Sequence, residues 1–543
     1  MGRVLIIGLD GATFDLIRPW AAEGRLPNLA RLLAEGAAGS LKSTTPPMSP
    51  PAWSSFMTGT NPGKHGILDF TERKLGTYEI QFVSSRHRKS ETIWKMLSRA
   101  GKRVCVIGVP MTFPVEAVNG VMLSGFDARV MNGKAVHPPG LDAEITEKLG
   151  EYMIWPDIAY YVDRGQTDPA VEVLLESIAR KAKVAQYLWR REAWDCFMVM
   201  FGETDKVVHH FWKHHDPRSP HHVAPRPGSS HPHPVLAVYE RLDAIVGAFA
   251  AELPKDTTLM IVSDHGTGGS GSKIIYLNRW LAANGFLGFR PPGGLWIRLR
   301  HVVAAKVLGK TKMWVGRLLS AAVKKKLRDQ KLGLAAKFES ILRFSNIDWN
   351  TTRAYSEETL YYPNIWVNLL GREPKGIVKP GAEYEAVRDE LIASLKAWRD
   401  PETGAPVVKH VWKREEIYHG PCTEKAPDLM ISWALDGDYS YLSRPSYTSK
   451  GTEPISQMDM AESGISKFLM GRSGSHRDHG ILILNGASVE RGATIERPEI
   501  IDLAPTVLSL LGLPVPPDMD GCSLVGGSVA SRPRRGERAP GGA

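Results

Sequence analysis

Short runs of consecutive apolar residues recur along the chain, separated by longer stretches in which apolar residues return at helical spacing. A strand that is apolar throughout is typical of a sheet that is covered on both faces, as parallel sheets are. The runs that predict strands are Val4–Leu9, Val104–Val109, Cys196–Phe201, Leu259–Val262 and Ile481–Leu484.

The stretches between these runs predict helices. Leucines recur at helical spacing in Asn28–Glu35, and the same periodicity is found in Thr92–Ala100 and in the longer segment Val171–Glu192. This alternation predicts an α/β fold with a mostly parallel central sheet and helices on both faces. In such sheets, ligands bind at the carboxyl ends of the strands.

Side chains of the metal-binding type stand at several of these predicted strand ends and turns. They are three carboxylates, three imidazoles and one hydroxyl: Asp10, Ser49, Asp205, His209, Asp264, His265 and His476. Such a set suits two zinc-like ions that share a hydroxyl nucleophile. Asp and His together favour zinc, whereas Asp alone also suits manganese.

The local spacing supports this prediction without deciding it. Asp205 and His209 are four residues apart, so on a helix they share one face and can reach one ion. Asp10 and Asp264-His265 directly follow predicted strands. Each segment also has an ordinary explanation, because Asp10 could simply begin a turn and Asp-His-Gly is a plausible turn sequence. Together, at the ends of separate strands, they favour a metal site.

The composition of the 543 residues is that of an ordinary globular protein, with 43% apolar and 23% charged residues. No run of roughly 18 apolar residues occurs, so no membrane span is predicted. The first residues lead straight into a strand and do not resemble a secretory signal. The four cysteines are far apart and lack metal-binding spacing. These features predict a cytoplasmic protein with reduced thiols.

The net charge of +10 is spread unevenly. Residues 298–331 hold eleven Lys and Arg against one acid, which predicts a basic helical insertion at 291–345. This insertion could lie over the site as a lid and attract anionic substrates, or it could be a solvated helical face. The segment 213–234 is rich in His, Pro and Ser and predicts a surface loop. Residues 526–543 predict a disordered tail.

The amino-acid sequences of several segments, and their order along the chain, resemble those of the alkaline phosphatase superfamily, and within it the type I phosphodiesterase/nucleotide pyrophosphatase family. The segments are Leu5–Gly11, Pro27–Gly36, Ser49–Trp53, Phe56–Gly59, Pro62–Ile67, Glu203–His209, Ser263–Gly266, Gly474–His476 and Ile501–Gly521. The resemblance therefore covers residues 3–525, and it implies an alkaline-phosphatase-like catalytic domain formed by 1–290 and 346–525.

The resemblance also implies a chemistry. One ion is expected on Asp205, His209 and His476, and the other on Asp10, Ser49, Asp264 and His265. Ser49 is expected to be the nucleophile and to form a phosphoseryl intermediate. The expected cofactors are two divalent metal ions, zinc or manganese. The expected substrate is a small phosphorylated molecule, a diester or pyrophosphate rather than a monoester, and no nucleic acid beyond a nucleotide is expected to bind.

Several alternatives stay open at this point. Ser54, Ser55 and Thr58 are rival nucleophiles, and His210 and His479 could replace the metal histidines. An Asn that often contacts phosphate in relatives has no clear counterpart after His65, so the substrate-binding residues are not predicted. A sulfatase is disfavoured because Trp53 stands where its motif has Arg, and the layout around Ser49 does not suggest a phosphoglycerate mutase. A phosphomonoesterase, a head-group phosphotransferase and a non-catalytic phosphate-binding protein remain.

Overall fold

A computed structural model describes residues 2–128, 131–290, 340–358, 362–448, 451–458, 471–487 and 489–525. The predicted basic insertion at 291–345 lies mostly outside these residues, and the predicted tail at 526–543 lies wholly outside them. The proposed domain boundaries therefore stay a prediction. Among the described residues, no helix has the length and apolar character that crossing a membrane requires.

Strands and helices alternate through the part of the chain that the structure describes. The strands are β1 Arg3–Leu9, β2 Ala37–Lys42, β3 Thr71–Arg73, β4 Ile80–Phe82, β5 Val104–Val109, β6 Gly120–Ser124, β7 Val136–His137, β8 Cys196–Phe201, β9 Thr257–Val262, β10 Gly266–Ile275, β11 Ala354–Tyr355, β12 Asn364–Val367, β13 Val408–Lys413, β14 Leu429–Trp433, β15 Leu435–Asp436, β16 Tyr439–Ser443, β17 Ile455–Gln457, β18 Gly474–Arg477 and β19 His479–Asn485. The helices are α1 Phe14–Ala22, α2 Pro27–Glu35, α3 Ser49–Thr58, α4 Pro62–His65, α5 Ile93–Arg99, α6 Leu141–Leu149, α7 Ala159–Asp163, α8 Thr167–Arg191, α9 Glu203–Phe211, α10 Pro234–Ala251, α11 Leu277–Ala283, α12 Ala382–Ala397, α13 Arg414–Ile417 and α14 Leu503–Leu510. Every strand and helix predicted from the apolar pattern is present.

The central sheet has eight strands in the order β2-β19-β9-β1-β8-β5-β6-β7. The five strands from β9 to β6 run parallel to their neighbours. The edge strands are antiparallel: β19 to both β9 and β2, and β7 to β6. The prediction of a mostly parallel sheet is therefore confirmed, although the apolar run at 481–484 belongs to an antiparallel strand.

Helices cover both faces of this sheet, as predicted. In β1, Leu5, Ile7 and Leu9 pack into a core that also contains buried residues of α2, α8 and α10. The alternate residues Val4 and Ile6 pack on the other face, with residues of α3, α5 and α14. Full burial of each such side chain stabilises the fold by roughly 1.5–3 kcal/mol. Because both faces of these strands are buried, consecutive positions are apolar, and the runs could be recognised in the sequence.

A second, antiparallel sheet of order β11-β12-β14-β13 packs with α11 and α12 around a core of its own. The apolar pattern did not predict it, because strands such as β13 mix polar and apolar residues and leave no continuous apolar run. The predicted surface loop is confirmed, since the described residues 215–233 contain neither helix nor strand and are mostly exposed.

Candidate metal centre

The carboxyl ends of three neighbouring strands converge at the middle of the central sheet. β1 lies between β8 and β9, with Leu9 opposite Phe201 and Gly8 opposite Val262. Asp10 follows β1, helix α9 follows β8, and Asp264-His265 follow β9. The topology therefore brings Asp10 together with two segments that lie more than 190 residues later in the sequence.

The first group of side chains, here called the α9 cluster, consists of Asp205, His209 and His476. Nε2 of His209 lies 3.0 Å from Nε2 of His476 and 3.1 Å from Oδ1 of Asp205. Nε2 of His476 lies 3.4 Å from the same carboxylate oxygen. Three ligand-type atoms therefore surround one point, and the spacing of four residues on α9 brings Asp205 and His209 together as predicted.

The second group, here called the β1 cluster, consists of Asp10, Asp264 and His265. Nε2 of His265 lies 3.6 Å from Oδ1 of Asp10 and 3.4 Å from Oδ2 of Asp264. Ser49, the first residue of α3, places its Oγ 3.4 Å from both Oδ1 of Asp10 and Nε2 of His265. The structure thus gathers all seven predicted residues into two adjacent groups.

The pairing of β10 with β18 joins the two clusters. β10 begins directly after His265, and its Thr267 lies opposite His476 in the antiparallel register. The rings of His265 and His476 stack with their centroids 3.8 Å apart. A strand from late in the chain therefore delivers the third imidazole.

Gly11 allows this close approach. Its φ of +66° is a left-handed conformation that favours glycine. A Cβ at this position would lie 2.9 Å from Cγ2 of Thr267 and 3.2 Å from Oδ1 of Asp205. Its backbone N–H donates to Oδ1 of Asp264 at 3.1 Å, so Asp264 keeps its second oxygen for the cluster.

Backbone carbonyls fix the orientation of all three imidazoles. Nδ1 of His209 lies 2.9 Å from the Gly474 carbonyl oxygen, and Nδ1 of His476 lies 2.9 Å from that of Pro47. Nδ1 of His265 lies 3.0 Å from the carbonyl oxygen of the following glycine. A carbonyl can only accept, so each Nδ1 carries the hydrogen, and in the neutral ring Nε2 presents a lone pair to its cluster.

The electrostatics of the site favour a cation. Burial raises the pKa of Asp10 well above its usual range, and the carboxylates of Asp264 and Asp205 raise it further. Burial also raises the pKa of Asp264. Burial and the imidazole of His265 lower the pKa of His476 to about 3, so this ring is neutral near pH 7. Several carboxylates therefore lie close together in the site, and the neutral His476 ring supplies no positive charge to compensate for them.

The donor set also fits metal ions. Oδ1 of Asp205 and Oδ2 of Asp264 are buried and accept no well-aligned hydrogen bond from the described residues. Each of these oxygens instead faces an imidazole Nε2, at 3.1 and 3.4 Å. Carboxylate oxygens and imidazole lone pairs that converge without hydrogen atoms between them are what a divalent ion such as zinc or manganese requires.

The rival residues take other positions. Oγ of Ser55 lies 3.0 Å from Nε2 of His65, and Oγ1 of Thr58 donates to the Ser54 carbonyl oxygen at 2.7 Å. These hydroxyls therefore serve the packing of α3. His210 is buried on α9 outside the α9 cluster, whereas His479 is exposed at the start of β19.

Two residues at the site were not singled out by the sequence. Nε1 of Trp53 donates to Oδ2 of Asp10 at 3.1 Å, and Oγ1 of Thr204 donates to the Asp10 carbonyl oxygen at 2.5 Å. A signal for Trp53 did exist, because it stands four residues after Ser49, a spacing that places two residues on the same face of a helix.

The family model of the type I phosphodiesterase / nucleotide pyrophosphatases matches residues 4–480. The chain belongs to this family. Membership points to a metal-dependent phosphoester hydrolase, and phosphorylated or nucleotide substrates fit the family. No curated protein matches the chain in sequence.

A solved structure shows the same fold, and a second has a lower similarity score. The chain resembles phosphonoacetate hydrolase from Sinorhizobium meliloti 1021 in complex with phosphonoformate, with a TM-score of 0.55, 15% identity, and coverage of 94% of this chain and 96% of that one. It also resembles murine ectonucleotide pyrophosphatase / phosphodiesterase 5 in complex with AMP, with a TM-score of 0.48, 14% identity, and coverage of 95% and 96%. The predicted alkaline-phosphatase-like fold is confirmed by the first of these similarities.

Proposed function

We propose that this family member hydrolyses phosphodiester or pyrophosphate bonds with two divalent metal ions and with Ser49 as nucleophile. The observation that carries this proposal is the position of the Ser49 hydroxyl, 3.4 Å from both Asp10 and His265 at the edge of the β1 cluster. A serine that only capped or packed a helix would have no reason to face a carboxylate and an imidazole lone pair.

Each cluster has the ligands for one ion. Asp205, His209 and His476 would hold the first, and the β1 cluster together with Ser49 would hold the second. Bound ions would lower the pKa of a hydroxyl and offset the negative charge of the phosphoryl oxygens. Zinc suits the mixed carboxylate and imidazole ligands best, and manganese is the alternative.

The reaction itself would involve few protein groups. Oγ of Ser49 would form a bond to phosphorus while the bond from phosphorus to the leaving oxygen breaks. The leaving alcohol or phosphate would take up the proton that the Ser49 hydroxyl gives up, and the phosphoserine would keep the other substituent. Water would then attack the phosphoserine and release the Ser49 hydroxyl. Because Ser49 is the first residue of α3, the positive end of the helix favours the negative charge that develops there. Pro50 and Pro51 suit this first turn, where backbone N–H groups have no partner within the helix.

A cavity of about 320 Å³ lies next to the loop that leads to Ser49, and we propose that it takes the second substituent of a diester. Pro46 and Tyr418 line it, and the Tyr418 hydroxyl donates to the Thr45 carbonyl oxygen at 2.9 Å, so the cavity shares a wall with the loop that leads to Ser49. Trp366 also lines it, with the Arg73 guanidinium 4.0 Å from its ring centroid. A diester carries a second substituent that could occupy this space, whereas a monoester does not.

We expect bis(4-nitrophenyl) phosphate to be hydrolysed with a higher kcat/KM than 4-nitrophenyl phosphate. Burying the second ring contributes roughly 1.5–3 kcal/mol, which corresponds to about ten- to a hundredfold in kcat/KM. Initial rates of nitrophenol release, measured at several concentrations of each ester, test this. 4-Nitrophenyl sulfate is the control and should react slowly. Faster turnover of the monoester would identify a phosphomonoesterase instead.

A further inference from the structure

We propose that Trp53 is a positioning residue, whose indole N–H holds the Asp10 carboxylate in the orientation in which it binds a metal ion. The inference rests on the proposed function. It assigns a role to a residue that is not itself a ligand or a nucleophile, and it explains why the helix that carries Ser49 also carries a tryptophan one turn later.

The two carboxylate oxygens of Asp10 face different partners. Oδ1 lies 3.4 Å from Oγ of Ser49 and 3.6 Å from Nε2 of His265, so it points into the β1 cluster. Oδ2 accepts the Trp53 indole N–H at 3.1 Å. Because the indole occupies Oδ2, the carboxylate cannot turn this oxygen to the cluster without breaking a buried hydrogen bond. Asp10 is thereby set to offer one oxygen.

Trp53 is itself held rigidly. Its side chain is fully buried, and its ring meets Phe56 edge to face with centroids 5.5 Å apart. Ser49 and Trp53 lie on the same helix, α3, so the nucleophile and the group that orients Asp10 move as one body. The hydrogen bond therefore also fixes the distance between the Ser49 hydroxyl and the metal carboxylate.

The strand that carries Asp10 has room for the indole because of Gly8. A Cβ at Gly8 would lie 2.9 Å from Cη2 of Trp53 and 3.0 Å from Cγ of Met200. Either distance is shorter than a carbon–carbon contact at optimal separation, which is about 3.5–4.0 Å. The absence of a side chain at this position of β1 lets the indole pack directly on the strand, two residues before the carboxylate that it binds.

Hydrogen-bond donors to a ligating carboxylate matter for metal binding. A hydrogen bond to a ligating carboxylate fixes its orientation, and its loss typically lowers metal affinity or activity by about 10- to 100-fold. The indole is a neutral donor and adds no charge, so its contribution is geometric. The proposal therefore predicts weaker metal binding when the N–H is removed and the aromatic volume is kept.

The test compares Trp53→Phe with Trp94→Phe. Both tryptophans are fully buried in the same core, but the Trp94 indole N–H has no hydrogen-bond partner among the described residues. Each protein is stripped of metal with a chelator and titrated with zinc chloride in a calorimeter. We expect one of the two zinc equivalents to bind about 10- to 100-fold more weakly in Trp53→Phe. In Trp94→Phe both should stay within roughly threefold of the wild type, a difference below 1 kcal/mol.

Kinetics at saturating zinc give a second readout. We expect kcat to fall in Trp53→Phe with little change in KM, since the fully buried indole is not accessible to a substrate. The thermal stabilities of the metal-free variants serve as the control for packing, and both variants should lose a similar amount. A purely structural role for Trp53 would lower stability while leaving zinc affinity and kcat unchanged, and that result would overturn the inference.

The remaining outcomes are also decisive. If the wild type binds no zinc or manganese, the proposed two-metal function fails and this inference fails with it. If the wild type binds both equivalents and Trp53→Phe matches it, only this inference fails. Should Trp53→Phe not fold, Gly8→Ala replaces it, because it keeps every hydrogen-bonding group and presses a methyl against the indole. A clear loss of zinc affinity in Gly8→Ala supports the role of Trp53, and wild-type affinity contradicts it.

Discussion

Ser49→Ala is expected to abolish turnover while the protein still folds and keeps most of its metal. The substitution removes the proposed attacking oxygen, and loss of a catalytic nucleophile costs on the order of 10⁴-fold or more in kcat. The effect on stability should be small, because the contacts of the hydroxyl with Asp10 and His265 are long, both at 3.4 Å. Phosphodiester hydrolysis, circular dichroism and elemental analysis of the purified variant check the three parts of this expectation.

Ser54→Ala is the matched control. Ser54 lies on the same helix and is fully buried, but its hydroxyl has no hydrogen-bond partner among the described residues. Its removal should leave activity unchanged. In the wild type, rapid quenching with a diester substrate should trap a protein heavier by the phosphoryl group and the one ester substituent that it keeps, with the modification on the peptide that contains residue 49. Full activity of Ser49→Ala would contradict the assignment, and loss of activity in Ser54→Ala would move the nucleophile to Ser54.

The central sheet was predictable from sequence because its strands are buried on both faces. A strand such as β5, in which every residue is buried, leaves a continuous apolar run that no amphipathic helix produces. The second sheet was not predictable in this way. Strands of two to six residues such as β11, β12 and β13 mix polar and apolar positions, and their pairing depends on contacts across long distances in sequence.

The candidate site was predictable to different degrees for different residues. Asp10 and Asp264 follow apolar strands, and parallel strands bring their carboxyl ends together, so local pattern and topology suffice. His476 has no such signal, because the short strand β18 carries it and the register of β18 on β10 decides where it lies. The sequence marks it as a metal-binding side chain, but only the resemblance to a family assigned it to the same ion as Asp205 and His209. The spacing of four residues places Trp53 on the same helix face as Ser49, but nothing in the sequence indicates that its indole binds Asp10, which lies 43 residues earlier in the chain.

Removal of the metal ions is expected to abolish activity, and zinc or manganese should restore it. The two clusters predict two equivalents per chain, which elemental analysis of the wild type measures directly. His476→Ala should lose the equivalent of the α9 cluster, and Asp264→Asn should lose that of the β1 cluster. His479→Ala is the control, since this exposed histidine lies three residues from His476 and contacts neither cluster. Full activity in chelated, metal-free protein would contradict the proposed two-metal function.

Asp264→Asn should also change stability, in opposite directions with and without metal. In the metal-free protein, burial and then the Asp264 carboxylate raise the pKa of Asp10, which means that ionising both carboxyls in this buried site is unfavourable because of their repulsion. The amide removes this repulsion and can still accept the Gly11 N–H through its oxygen, so the metal-free variant should be more stable than the metal-free wild type. With zinc present, the wild type should be the more stable protein, because binding to the folded state alone stabilises it. Thermal melting in chelator and in zinc measures both differences. A variant that melts at a lower temperature than the wild type under both conditions would mean that Asp264 is a structural carboxylate. In a metal site, the ligand carboxylates repel each other when the cation is removed, so replacing one of them should stabilise the metal-free protein.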